Sequence, residues 1–144
     1  MAGRVLLVED EEAVLEFERD VLVGAGAEVT TSMSVEDTKQ LLRNGVYDVI
    51  VMNGVMPGEC SAREMYEWVA ENCPGRENGL LLTFSTMTDQ ETRTFLQEHN
   101  VPSLAKPFEV ADLISHVRSL SQREGKPAPN TAADDKTSVA RAGA

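Results

Sequence analysis

The sequence predicts an α/β fold, a three-layer sandwich in which a parallel sheet of about five strands is covered by helices on both faces. Three observations predict it. Short, β-rich apolar runs alternate with longer segments whose apolar residues recur at helical spacing. Turn and stop residues (Gly24 and Gly26, Asn44-Gly45, Pro74-Gly75) separate the two kinds of segment. At 144 residues the chain has room for one such domain plus a tail.

Val5-Leu6-Leu7-Val8 is the first buried strand, and it ends at the acidic cluster Glu9-Asp10-Glu11-Glu12. Val14, Leu15, Phe17, Val21 and Leu22 then recur at helical spacing, and Gly24 and Gly26 stop that helix. Glu28 to Thr31 is a short polar strand, expected near a sheet edge. Ser34 with Asp37 resembles a capping box with Asp in place of Glu, opening a helix through Leu41 and Leu42 that Asn44-Gly45 ends. Val46 to Met52 is the second strongly apolar strand, interrupted only by Asp48. After Asn53-Gly54-Val55-Met56-Pro57-Gly58 comes a helix carrying Met65, Trp68 and Val69, closed by Pro74-Gly75. Leu80-Leu81-Leu82 is a third buried strand. Thr88 with Glu91 is expected to cap the next helix, its inner face including Phe95 and Leu96. Val101 to Ala105 forms the last short strand, and Lys106-Pro107-Phe108 leads into a final helix bearing Val110, Leu113, Ile114, Val117 and Leu120. Right-handed crossovers between such strands favour the flavodoxin-like order 2-1-3-4-5.

Residues 1–121 are expected to form the domain and residues 122–144 a disordered tail. Val139 is the only large apolar residue in that tail, so burial cannot offset its ordering entropy. Hydrophobic residues make up 42% and charged residues 26%, an ordinary globular composition. Lys+Arg total 13 against Asp+Glu 24, a formal charge of -11 that nucleic acid and anionic membrane would repel. No apolar run is long enough to span a membrane, and the first residues lack a signal-peptide core. Cys60 and Cys73 form no disulfide framework or metal-ligand spacing, which suits a cytoplasmic protein with reduced, unreactive thiols. Met65 and Trp68 are expected to pack against the sheet, and His99 and His116 have no expected role.

In folds of this kind ligands bind beyond the carboxyl ends of the strands. Those ends carry Glu9-Asp10, Asn53, the Thr83 to Thr86 segment and Lys106. Phosphoryl transfer to a carboxylate there would need an aspartate nucleophile, acids to hold Mg²⁺, a cation and a hydroxyl that senses the product. The acids are present in Glu9 and Asp10 and the cation in Lys106, but the central strand end carries Asn53.

From Arg4 to about Leu120 the chain resembles a receiver domain of bacterial two-component systems. The motifs that carry the resemblance are Val8-Glu9-Asp10, Met56-Pro57-Gly58 and Lys106-Pro107-Phe108, in order after the first, third and fifth strands. Any one tripeptide is common; the three together are specific. The resemblance implies that Glu9, Asp10 and the carbonyl of Val55 are the metal ligands, that Lys106 is the family's lysine, and that position 53 is the phosphoacceptor. An amide is a poor nucleophile, so no acyl-phosphate is expected on Asn53. Loss of one charge also leaves Mg²⁺ weak or absent, and no other cofactor is implied. Lys106 is then expected to neutralise Glu9 and Asp10. Asn-Gly is also the sequence in which succinimide formation is easiest, so slow deamidation of Asn53 is a further expectation.

Counting back from Lys106, the family's switch Ser/Thr falls on Phe84, and a one-residue shift brings Thr83 or Ser85; the aromatic switch position is Ser103. Large and small have traded places, and Phe84 is expected to fill the volume of an inward aromatic and fix the surface in one state. Two functional readings follow. In one, the chain is an atypical receiver, a non-enzymatic, phosphorylation-independent interaction module. In the other, it is a conventional phospho-accepting receiver, as in a hybrid sensor histidine kinase, whose acceptor Asp has been replaced by Asn. Phe84 and Ser103 favour the first. An enzyme or flavin protein of similar fold is disfavoured, because no phosphate-cradling glycine loop is present. The partner surface the resemblance implies is the fourth helix, fifth strand and fifth helix, about Asp89 to Leu120. It would serve a histidine kinase or other signalling protein, and a homodimer is a further expectation.

Overall fold

Val5 to Val8, Val49 to Met52 and Leu80 to Leu82 are continuous apolar runs, as strands covered on both faces must be. They form the centre of the sheet in the computed structural model, which describes residues 3–56, 60–85 and 89–122. The element order is β1 (Arg4–Val8), α1 (Glu12–Gly24), β2 (Glu28–Ser32), α2 (Val35–Asn44), β3 (Val49–Asn53), α3 (Ala62–Asn72), β4 (Leu80–Phe84), α4 (Gln90–His99), β5 (Ser103–Ala105) and α5 (Val110–Ser121). A 3-10 turn at Arg76–Gly79, which the sequence patterns do not announce, precedes β4. All strand pairs are parallel and the order is β2-β1-β3-β4-β5, the flavodoxin-like arrangement.

The pleat divides each central strand between two cores. Leu6, Ile50, Met52, Leu80 and Leu82 pack with Leu42 of α2, Met65 and Val69 of α3, and Phe95 of α4. Val5, Leu7, Val49, Val51 and Leu81 pack with Leu15 and Leu22 of α1 and Leu113 and Val117 of α5. Tyr66 and His99 join Phe95 in an aromatic cluster between α3 and α4. Trp68 packs partly buried beside the first core, as expected.

Element ends differ from expectation where local chemistry decides them. β3 starts at Val49 because Asp48 accepts a hydrogen bond from the Arg4 N–H through Oδ2 and donates its own N–H to the Arg4 carbonyl. The shorter β5 starts at Ser103. Ser34 caps α2 by accepting from the Asp37 N–H. The N-cap of α4 is Asp89, which accepts from the Thr92 N–H, in place of the expected Thr88, which lies outside the described residues. A full capping box opens α3, where Ser61 and Glu64 exchange side-chain and backbone bonds. Of the tail 122–144, only Gln122 is among the described residues, and Pro57 and Gly58 also lie outside them.

On α1 the structure corrects the expected inner face. Phe17 is 52% exposed, whereas Glu18 is 2% exposed. At about 100° per residue, positions 15, 18 and 22 share one stripe and position 17 points away from it. Geometry therefore buries a carboxyl between Leu15 and Leu22 and leaves a phenyl ring in water. Burial pushes Glu18 up from its ordinary value of 4.5 to about 7; Lys106 opposes the rise and Glu9 adds to it. An acid with a higher pKa in the fold than in the unfolded chain stabilises the fold while protonated, and that contribution is lost as pH rises through the folded value. Linkage therefore predicts a loss of about 2 to 3 kcal/mol in unfolding free energy between pH 4.5 and 8. Urea denaturation across that range should show the loss in the native chain and a much flatter profile in Glu18→Gln.

Candidate functional site

Because every strand is parallel, their carboxyl ends share one edge of the sheet. Alternation then selects the face. Leu7, Val51, Leu81 and Leu104 point toward α1 and α5, so Glu9, Asn53, Thr83 and Lys106, two residues further on, stand on that same side. The β3–β4 register pairs Asn53 directly with Thr83.

Glu9 has no exposed surface. A buried carboxylate must be met by donors, and three converge on it. Lys106 Nζ donates to Oε1 at 2.7 Å, while Asn53 Nδ2 and the Glu11 N–H donate to Oε2, each at 3.2 Å. Asn53 Nδ2 also donates to Asp10 Oδ1 at 2.9 Å, and Asn53 Oδ1 accepts from the Val55 N–H at 3.4 Å. Two carboxylates flank the amide, which is why its nitrogen faces them and its oxygen turns to the backbone. Asn53 thus spans the acids and Lys106 neutralises the deeper one.

Phe84 is also buried, but on the other face of the sheet, beside Met52 and Met56. Its ring lies against Gly54. A Cβ added there would meet three ring atoms, the farthest at only 2.8 Å. Gly54 is not in the left-handed region, so close approach, rather than backbone conformation, calls for glycine here. The Gly54 N–H donates to the Thr83 carbonyl at 2.6 Å. That bond, and the anchored Asn53 side chain, oppose the attack of the Gly54 nitrogen on the Asn53 carboxamide that deamidation requires.

Of the three positions that counting left open, Thr83 stands beside Asn53, Phe84 faces the opposite core and Ser85 is exposed just after β4. Ser103 is exposed on β5, in register with Leu82. Val55 is exposed, bridged to Ser61. Burial pushes the Cys73 thiol up, with Arg76 and Arg43 opposing, a direction that disfavours the thiolate. Glu18 and Gly54 were not singled out from the sequence as neighbours of the site. The only advance signals were the spacing of Glu18 from Leu15 and a glycine beside a strand end opposite a large ring.

The family model for the response regulator receiver domain matches residues 5–118. The chain belongs to this family. Receiver domains act in two-component signalling, and solved receiver-domain structures share this fold. A protein described as a response regulator from Chloroflexus aurantiacus J-10-fl superposes with a TM-score of 0.72 at 25% identity, covering 85% of this chain and 100% of that one. A CheY-like receiver from Methanospirillum hungatei JF-1 gives 0.71 at 18%, covering 82% and 92%. The beryllofluoride-activated NtrC4 receiver domain dimer gives 0.70 at 21%, covering 80% and 93%. A comparison with curated proteins finds no match.

Receiver domains bind Mg²⁺ at an acidic pocket. In this receiver domain the arrangement fits a dication poorly. Mg²⁺ takes oxygen ligands, but the group between Glu9 and Asp10 is a nitrogen donor. Among the described residues no cluster of three or more His, Cys, Asp or Glu side chains is placed to hold a metal.

Two outcomes test this geometry. Removing one partner of a buried ion pair strands the other charge, so Lys106→Met should cost about 3 kcal/mol in chemical denaturation. Adding Glu9→Gln should recover most of that loss. Gly54→Ala should cost about 1 to 3 kcal/mol by overpacking against Phe84. In a Phe84→Ala background the same change should cost much less, a coupling that a double-mutant cycle measures.

Proposed function

We propose that this receiver domain is a pseudo-receiver, a cytoplasmic, non-enzymatic module that signals by binding protein partners without taking up phosphate. The observation that carries this reading is the position of Asn53. Its amide bridges Glu9 and Asp10, so the acids that would otherwise require a cation are already met by protein donors. Neither a nucleophilic carboxylate nor a strong Mg²⁺ site is left. Phe84, seated on Gly54, supports a β4 end held in one arrangement whatever occupies the pocket.

The recognition surface on this reading is the α4–β5–α5 face, from about Asp89 to Leu120, where most of α4 is exposed. A histidine kinase or another signalling protein is the partner class. A homodimer is also consistent with the dimeric NtrC4 relative. The second reading, a conventional receiver with its acceptor replaced, draws on Glu9, Asp10, Lys106 and Thr83, which stand around position 53 as a working site would need.

Incubation with a small phosphodonor and Mg²⁺, followed by intact-mass measurement, tests the proposal. The unaltered chain should stay unmodified, and a hydroxylamine-labile phosphate on it would sink the idea. Asn53→Asp, run alongside, separates the two readings. Phosphate uptake without movement of the α4–α5 amide resonances is the expected result. Uptake that shifts those resonances would favour the conventional receiver.

A further inference from the structure

At the opposite, amino-terminal edge of the sheet, two cations stack on one tryptophan and a third stands at the same corner. Lys39 Nζ and Arg43 Cζ, one turn apart on α2, each lie 5.3 Å from the centre of the Trp68 ring on α3. Cys73, just after α3, touches the last turn of α2 through Sγ and the Leu42 carbonyl at 3.8 Å. The Arg76 N–H donates to the Cys73 carbonyl at 2.9 Å, which puts Arg76 beside the same corner.

This corner is unusual for its charge balance. The chain has 24 acids for 13 bases, and four described cations, Arg4, Arg19, Arg63 and Lys106, have a carboxylate partner. Lys39, Arg43 and Arg76 have none among the described residues. Glu77, next to Arg76, turns its carboxylate to the Gly75 N–H at 2.8 Å. Arg76 Nη1 is buried and has no hydrogen-bond partner among the described residues. A buried guanidinium N–H without an acceptor is costly, and an oxyanion is the acceptor its planar fork fits best. Stacking on Trp68 holds the other two cations extended without neutralising them.

We propose that Lys39 and Arg43, stacked on Trp68, form with Arg76, held at the same corner through Cys73, a binding site for a small phosphate-type oxyanion. The site lies at the far end of the sheet from Glu9 and Asn53 and does not depend on the pseudo-receiver reading. The size limit follows from charge. An extended polyanion such as nucleic acid would meet the field of the whole -11 body, whereas a small ion meets only the local cluster.

Trp68 is the only tryptophan, so its fluorescence reports the corner directly. Titration with inorganic phosphate, at ionic strength held constant with sodium chloride, should give a saturable change in emission and a matching rise in melting temperature. Arg76→Gln should weaken binding by about tenfold or more, the loss of one charge-assisted contact. Arg43→Gln, on an exposed side chain, should weaken it as well and provides the test if Arg76→Gln folds poorly by circular dichroism. A response that does not saturate, or that both variants retain, overturns the proposal and leaves Arg76 Nη1 to water. A glutamate octapeptide that binds more tightly than phosphate also overturns it, in favour of an acidic protein partner.

Discussion

A carboxylate shut away from water has to be met by donors, and at the carboxyl edge of this sheet that requirement falls on Glu9. The three groups that meet it come from three places in the chain: Lys106 after β5, Asn53 at the end of β3, and the backbone at the start of α1. One buried charge therefore ties together segments separated by almost a hundred residues. Because such a charge tolerates no missing partner, the positions of the β3 and β5 ends and the first turn of α1 are mutually dependent. Glu18 is a second buried acid, and it answers burial differently, by tending to hold its proton.

Seen from that constraint, the amide at position 53 is a good structural fit. A third carboxylate beside Glu9 and Asp10 would add like charge to a site with one nearby lysine, and such a site needs a further cation to be comfortable. An amide contributes donors instead, and the network closes within the protein. At this edge the amide joins the acids and the lysine in a set of fixed contacts. On the other face of the same strand ends, the ring of Phe84 on Gly54 adds a steric contact to the electrostatic ones.

Much of this architecture was legible in the sequence because its signals are local. Continuous apolar runs mark buried strands, paired Gly and Asn residues mark helix ends, and the carboxyl-end rule gathers Glu9, Asp10, Asn53 and Lys106 from their places in the chain. What was not legible depends on register and rotation. Counting along the chain from Lys106 reached Phe84, whereas the β3–β4 pairing sets Thr83 beside Asn53. Hydrophobicity favoured Phe17 as an inner residue, whereas the helix angle turned it outward and buried Glu18. The Lys39–Trp68–Arg43 stack joins two helices, and no spacing within either one predicts it.

The seat of Phe84 on Gly54 also bears on how such a sequence can drift. A large ring resting on bare backbone leaves no room for a side chain at 54, so the two positions constrain each other. Any side chain at 54 therefore demands a smaller residue at 84, so that the width of the ring, and not the conformation of the backbone, sets what the turn after the third strand can carry.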